Sequence, residues 1–170
     1  MTDRRRLIVM RHAKAEPFAS TDHARPLTDR GRAGARDAGR HLREVGTLPD
    51  HAVVSSALRT RETWDEVVAA ADLVGCPVSF EDTLFSGSPD LVVEALQAVP
   101  AGASTVLFIG HNPTAAYLCH LLDDGEGDPQ ATSGLLRGFP PGALTVLEVA
   151  VPWAALAFET GRVVDYYVGS

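Results

Sequence analysis

The stretch LIVMRH (residues 7–12) sets the frame: four consecutive apolar side chains run straight into an arginine and a histidine. A short unbroken apolar run suits a strand buried on both faces, since a half-exposed strand would alternate apolar with polar. The construction recurs twice. Ala52-Val-Val54 leads into Ser55-Ser56-Ala-Leu-Arg59, and Thr105-Val-Leu-Phe-Ile109 leads into Gly110-His111-Asn112-Pro113.

Helical patterns fill the intervals. Thr28 can cap a helix reaching about Gly46, with Ala35, Ala38, Leu42 and Val45 on one face. Ser56 is read as the cap of a helix to about Gly75, with Trp64, Val67, Val68, Ala71 and Val74 turned inward. Ser88-Pro89 is a helix start, and Asn112-Pro113 is read as opening the next helix in the same way. Pro77–Phe80 is a weaker strand, and residues 123–141 read as loop. Leu144–Val149 and Val163–Val168 read as later strands, with an extended piece over Trp153–Phe158. Strands alternating with helices predict an α/β fold: a three-layer sandwich, its largely parallel central sheet flanked by helices. With no repeat or linker in 170 residues, the chain reads as one domain, 1–170.

Charge is unevenly spread. Residues 1–65 carry 13 Lys and Arg against 9 Asp and Glu, net +4, while the remainder carries 2 against 13, net −11. An acidic chain of net −7 argues against general nucleic-acid binding, yet a basic half suits a local site for an anion. Arg32, Arg36, Arg40 and Arg43 are spaced to solvate a helix face. No apolar run approaches the ~20 residues of a membrane helix, and the run after the basic N-terminus MTDRRR is too short for a signal-peptide core. Two cysteines, Cys76 and Cys119, make a disulfide framework unlikely to be the design, which favours the cytoplasm. The six histidines lack ligand-like spacing with the cysteines, so no metal is expected.

In open α/β sheets, ligand sites form beyond the carboxyl ends of the strands. If the three strong strands are parallel neighbours, Arg11, His12, Arg59 and His111 converge there. Arg59 sits at the start of its helix, the end that disfavours a cation unless it serves an anion.

These motifs resemble those of the histidine phosphatase, or phosphoglycerate-mutase-like, superfamily. LIVMRHAKA (7–15) looks like its RHG/RHA signature, SSALRTRET (55–63) like its second motif with Thr63 four residues after Arg59, and GHNP (110–113) like its second-histidine motif. ARPLTDRG (24–31) and TSGLLRG (132–138) are similar to the SixA-type phosphohistidine phosphatases. The resemblance implies a phosphoglycerate-mutase-like fold and makes His12 the nucleophile, with Arg11, Arg59 and His111 as the phosphate pocket and Arg25 as a neighbour that contacts substrate. It implies no cofactor. A neutral imidazole can attack phosphorus and leave again, while guanidinium groups hold the charge on the equatorial oxygens.

The superfamily's general acid falls in SFEDTLFSG, where Glu81, Asp82 or an exposed turn with no acid role all fit; Asp82 is taken as the candidate. A phosphohistidine substrate relaxes that need, because its imidazole can be protonated before it leaves. Only 47 positions separate His12 from Arg59, and 52 separate Arg59 from His111, which leaves no insertion for a lid. An open site suits a phosphorylated protein, such as a phosphohistidine-bearing signalling domain. Two alternatives stand beside this expectation: a phosphatase of small phosphate esters or anhydrides using Glu81 or Asp82, and a non-catalytic module that recognises phosphate.

Overall fold

A computed structural model describes residues 4–169. The N-terminal reading of Met1–Asp3 lies outside that range. Six strands form one sheet: β1 (Arg5–Arg11), β2 (His51–Ser55), β3 (Val78–Glu81), β4 (Thr105–Gly110), β5 (Leu144–Val149) and β6 (Gly161–Tyr167). Their order is β3-β2-β4-β1-β5-β6. The three strong strands are neighbours as expected: β1 pairs parallel with β4, and β4 with β2. β3 continues the parallel run, whereas β5 and β6 are antiparallel.

Alternation along β1 divides the core. Leu7 and Val9 face one side with Val53 and Phe108; Ile8 and Met10 face the other with Ala52, Val54, Leu107 and Ile109. The second face is covered by α1 (Asp29–Glu44) and α2 (Leu58–Ala71), through Ala38, Leu42, Trp64, Val67 and Ala71. The first is covered by α3 (Pro89–Gln97), α4 (Thr114–Leu122) and α5 (Pro129–Arg137). All four residues of Leu7–Met10 are fully buried, so truncating one to alanine should cost about 2–5 kcal/mol. This is the expected three-layer α/β sandwich.

Several local expectations are corrected. Residues 123–141 contain α5, started by Asp128 as cap and Pro129 at the first position, the same signal as Ser88-Pro89. The Asp128 carboxylate accepts from the Ala131 amide at 2.8 Å. Trp153–Ala155 is a short 3-10 turn rather than an extended piece. Ser56 does not cap α2; Ala57 holds that position, and the Ser56 hydroxyl instead bonds His23 Nε2 at 3.0 Å. Asn112-Pro113 does not repeat the Ser88-Pro89 start, because Pro113 itself is the cap of α4. Val45 and Val74 are exposed, since each lies past the last turn of its helix and the 3.6-residue period no longer applies. Nor do the α1 arginines merely solvate a face. Arg32 meets Glu62 at 2.6 Å, Arg36 meets Glu66 at 3.3 Å, and Arg43 lies 3.8 Å from Asp72, so three of the four clamp α1 to carboxylates on or just beyond α2.

Candidate active site

Arg11 ends β1 opposite Gly110 of β4, so His12 and His111 leave the sheet side by side. Their ring centroids are 5.4 Å apart. Arg59 reaches the same place from the first turn of α2, and Arg25 from the loop before α1. Arg11, His12, Arg25, Arg59 and His111 together line one cleft of about 280 Å³, joined by Lys14, Ala15, Asn112 and Pro141. Five of the six residues expected at the site are therefore brought together. The sixth, Asp82, is exposed on the 3-10 turn Asp82–Leu84 and is not among the lining residues. Glu81 does not line the cleft either; its carboxylate accepts from the Ser79 hydroxyl at 2.6 Å.

His12 is 8% exposed, and its Nδ1 lies 2.7 Å from the Ala13 carbonyl oxygen. A carbonyl can only accept, so Nδ1 carries the proton and Nε2 keeps a free lone pair. Burial lowers the His12 pKa to about 4; the Ala13 bond opposes this, and the charges of Arg59, Arg11 and Arg25 add to it. The imidazole is thus neutral at physiological pH, the form a nucleophile needs. Burial likewise brings His111 to about 3, assisted by Arg59. His111 Nε2 lies 2.7 Å from the Ser55 hydroxyl, and that hydroxyl also accepts from the Ala57 amide at 3.5 Å. When that hydroxyl donates to Nε2, the ring's own proton sits on His111 Nδ1. That Nδ1 is buried and has no protein partner.

Arg11 donates from NH1 to the Phe139 carbonyl at 3.1 Å, and Arg59 from NH1 to the Asp22 carbonyl at 2.9 Å. The Nε of each is buried with no protein partner. Two guanidinium donors without partners, joined by His111 Nδ1 when Ser55 donates to Nε2, form a set that suits an oxyanion, since unpaired buried donors are costly otherwise.

The supporting contacts are mostly ones the sequence did not disclose. Thr63 donates to the Arg59 carbonyl at 2.7 Å and accepts from the Ala13 amide at 3.0 Å, so one hydroxyl ties α2 to the loop that orients His12. The Phe139 carbonyl accepts from both Arg11 and the Asn112 amide. Asp22 faces two arginines: its carboxylate lies 2.9 Å from Arg25 Nε and 3.4 Å from Arg59 NH2. Slight burial would raise the Asp22 pKa, but the Arg25 bond and the Arg59 charge prevail and hold it below the usual carboxylate range. Among these, Thr63 carried a sequence signal through its spacing from Arg59, and Asn112 through the GHNP motif. Among the described residues, no group of His, Cys, Asp and Glu is arranged to hold a metal ion.

The strand ends of a largely parallel α/β sheet gather two histidines and three arginines in one cleft, and the chain belongs to the histidine phosphatase superfamily. The family model for its branch 1 matches residues 7–84. Phosphohistidine phosphatase SixA of Escherichia coli is 30% identical over 131 residues, which are 76% of this chain and 81% of that protein. A solved structure from Nakamurella multipartitia assigned as phosphohistidine phosphatase SixA has 36% identity and a TM-score of 0.83, over 96% of this chain and 95% of that one. The structure of protein histidine phosphatase SixA complexed with tungstate has 26% identity and a TM-score of 0.78, over 96% of each chain.

Proposed function

We propose that this phosphatase removes phosphate from phosphohistidine on a protein, through a covalent intermediate on His12. The observation that carries the reading is the Nδ1–Ala13 bond, which presents a neutral His12 Nε2 among Arg11, Arg59 and His111. Nε2 attacks phosphorus as the substrate's P–N bond breaks, and the departing imidazole leaves neutral, having taken a proton. Water then attacks the phosphohistidine, releasing inorganic phosphate and restoring His12. Arg11 and Arg59 hold the equatorial oxygens throughout, and His111 Nδ1 supplies a further hydrogen bond. Arg25 meets the substrate at the rim.

A protein substrate suits this cleft, which is bounded by strand ends and by loops, among them the long connection 12–28 between β1 and α1. The names of the SixA relatives point to the same substrate class. Asp82, exposed and off the cleft, contributes weakly in this reading, because a leaving imidazole that carries its own proton needs no strong acid. The two free cysteines accord with a cytoplasmic setting.

Rapid-quench labelling should give an acid-labile, base-stable phosphoryl adduct on His12, and turnover should rank a phosphohistidine peptide above phosphoserine peptides and small phosphate esters. Label on another residue would overturn the nucleophile. A ranking that puts small esters first would overturn the substrate class.

A further inference from the structure

Beside the cleft lies a second depression of about 400 Å³, and Lys14 and Pro141 line both. Its walls include Arg30 and Gly34 of α1 on one side and Gly142 and Val168 on the other. Among the described residues, Lys14 and Arg30 are its charged lining, and both are exposed. Arg30 is the exception on its helix. Arg32, Arg36, Arg40 and Arg43 each meet a carboxylate, whereas neither Arg30 nor Lys14 forms an ion pair among the described residues. On a chain of net charge −7, two cations without ion pairs beside the cleft form a positively charged track.

Gly34 keeps that track open. A Cβ there would meet nothing within 4 Å, so packing does not demand glycine. Glycine within a helix costs roughly 0.5–1 kcal/mol relative to alanine, so the residue is there at some expense to the helix. Pro140, Pro141, Gly142 and the exposed Val168 among the rest of the lining offer small and apolar contact. Such a surface fits an extended chain better than a compact metabolite.

We propose that this groove seats an acidic segment of the protein substrate, the residues next to the one whose phosphoryl group enters the cleft, with Lys14 and Arg30 reading its carboxylates. Complementary charge of this kind selects partners and speeds encounter more than it changes chemistry. The proposal rests on the reading of the cleft as a protein phosphatase site.

Two variants test it. Arg30→Glu reverses a charge in the first turn of α1, where an acidic side chain suits the helix dipole. Gly34→Phe fills the groove from a helical position that tolerates a side chain. Three substrates are compared by kcat and KM: a phosphohistidine peptide with Asp and Glu flanks, the same peptide with Asn and Gln flanks, and N-phosphoimidazole, which has no flanks. The wild type should favour the acidic peptide by about tenfold in kcat/KM, chiefly through KM, as rim charges do. Arg30→Glu should erase most of that preference, and Gly34→Phe should raise KM for the acidic peptide severalfold. Both variants should hydrolyse N-phosphoimidazole at the wild-type rate. Equal turnover of the two peptides by the wild type, or a preference that survives Arg30→Glu, overturns the groove while leaving the cleft's reading intact. Hydrolysis of small phosphate esters with no turnover of either peptide or of N-phosphoimidazole overturns the cleft's reading, and the groove with it.

Discussion

His12 and Arg59 are 8% and 5% exposed, while the Asp22 carboxylate that faces Arg59 from the rim is 61% exposed. The floor of the cleft is carried by β1, β4 and the first turn of α2, and its polar groups bond to backbone carbonyls or to buried hydroxyls. The rim comes from loops, where Asp22 pairs with Arg25 and Lys14 is exposed without an ion pair among the described residues. The difference teaches where function is sensitive. In the dry floor each donor is aimed and each charge is strong, so a change should be felt in chemistry; at the wet rim charges are screened and a change should be felt in binding.

The floor offers the largest effects. His12→Ala should reduce turnover of every phosphorylated substrate by more than about 10³-fold, as removal of a covalent nucleophile does. NMR of the histidine rings should show His12 neutral, with its proton on Nδ1, down to about pH 5, because burial brings its pKa to about 4. Stability carries the same signature. Between pH 6.5 and about 4 the unfolded chain takes up a proton that folded His12 refuses, so stability falls as pH drops through that window. Below it the slope from this residue ends; His12→Ala should lessen the slope and leave the share of His111, whose pKa burial brings to about 3. A His12 ring that titrates near 6.5 would show that the floor is as wet as the rim.

Arg59→Ala comes next. Its guanidinium serves the transferring group common to all substrates, so phosphohistidine and ester turnover should both fall by about 10²–10³-fold, the scale of losing one preorganised donor in a dry site. Rates measured on both substrate types check this. A loss confined to one of them would mean that Arg59 reads the leaving group instead.

This division also marks what was legible in the sequence. LIVM, AVV and TVLFI declare buried strands because continuous apolar runs have few other uses; the helices between them argue for parallel strands, and their adjacency, a condition of the sequence reading, is observed in the sheet. The residues directly after those runs therefore had to gather at one end of the sheet, and Arg11, His12, Arg59 and His111 do. Of the rim, Arg25 was named through ARPLTDRG, whereas Asp22 was not, because it faces Arg59 across 37 positions and has no periodicity to announce it. Helix α5 was missed for another reason. Its Gly, Ser and Thr content reads as loop, yet Gly134 is needed where a Cβ would come 2.3 Å from the Tyr166 ring. Tertiary closeness, not propensity, set that residue.

At the rim, Asp22→Asn tests whether the carboxylate competes with phosphate for Arg59 and Arg25. The Asp22 carbonyl still holds Arg59 NH1, so the floor should keep its shape. Removing one screened negative charge near the site should tighten inhibition by inorganic phosphate by about two- to fivefold, the scale of a charge pair at short range in water. The chemical step should be unchanged, which single-turnover kinetics would show. A large fall in the single-turnover rate would mean that Asp22 orients Arg59 as tightly as Thr63 does, and the rim would then belong to the floor.

The smallest effect is expected furthest out, on the turn after β3. Asp82 is exposed and outside the cleft lining, and the Glu81 carboxylate is engaged by Ser79. Asp82→Asn and Glu81→Gln should each lower phosphohistidine turnover by less than tenfold, under about 1.4 kcal/mol of barrier. The physical reason lies in the leaving group. An imidazole that is already protonated departs neutral, whereas an alkoxide gains about 10²–10⁴-fold from a positioned acid. The same variants should therefore harm ester hydrolysis more than phosphohistidine hydrolysis, and the ratio of the two losses is the informative quantity. Circular dichroism on each variant separates a chemical loss from a folding one. A loss of several hundredfold on phosphohistidine by folded Asp82→Asn would mean that the turn closes over the cleft during the reaction and delivers its carboxyl group as a full general acid. The small-ester reading would then be the better one, and the contrast between floor and rim would fail at this loop.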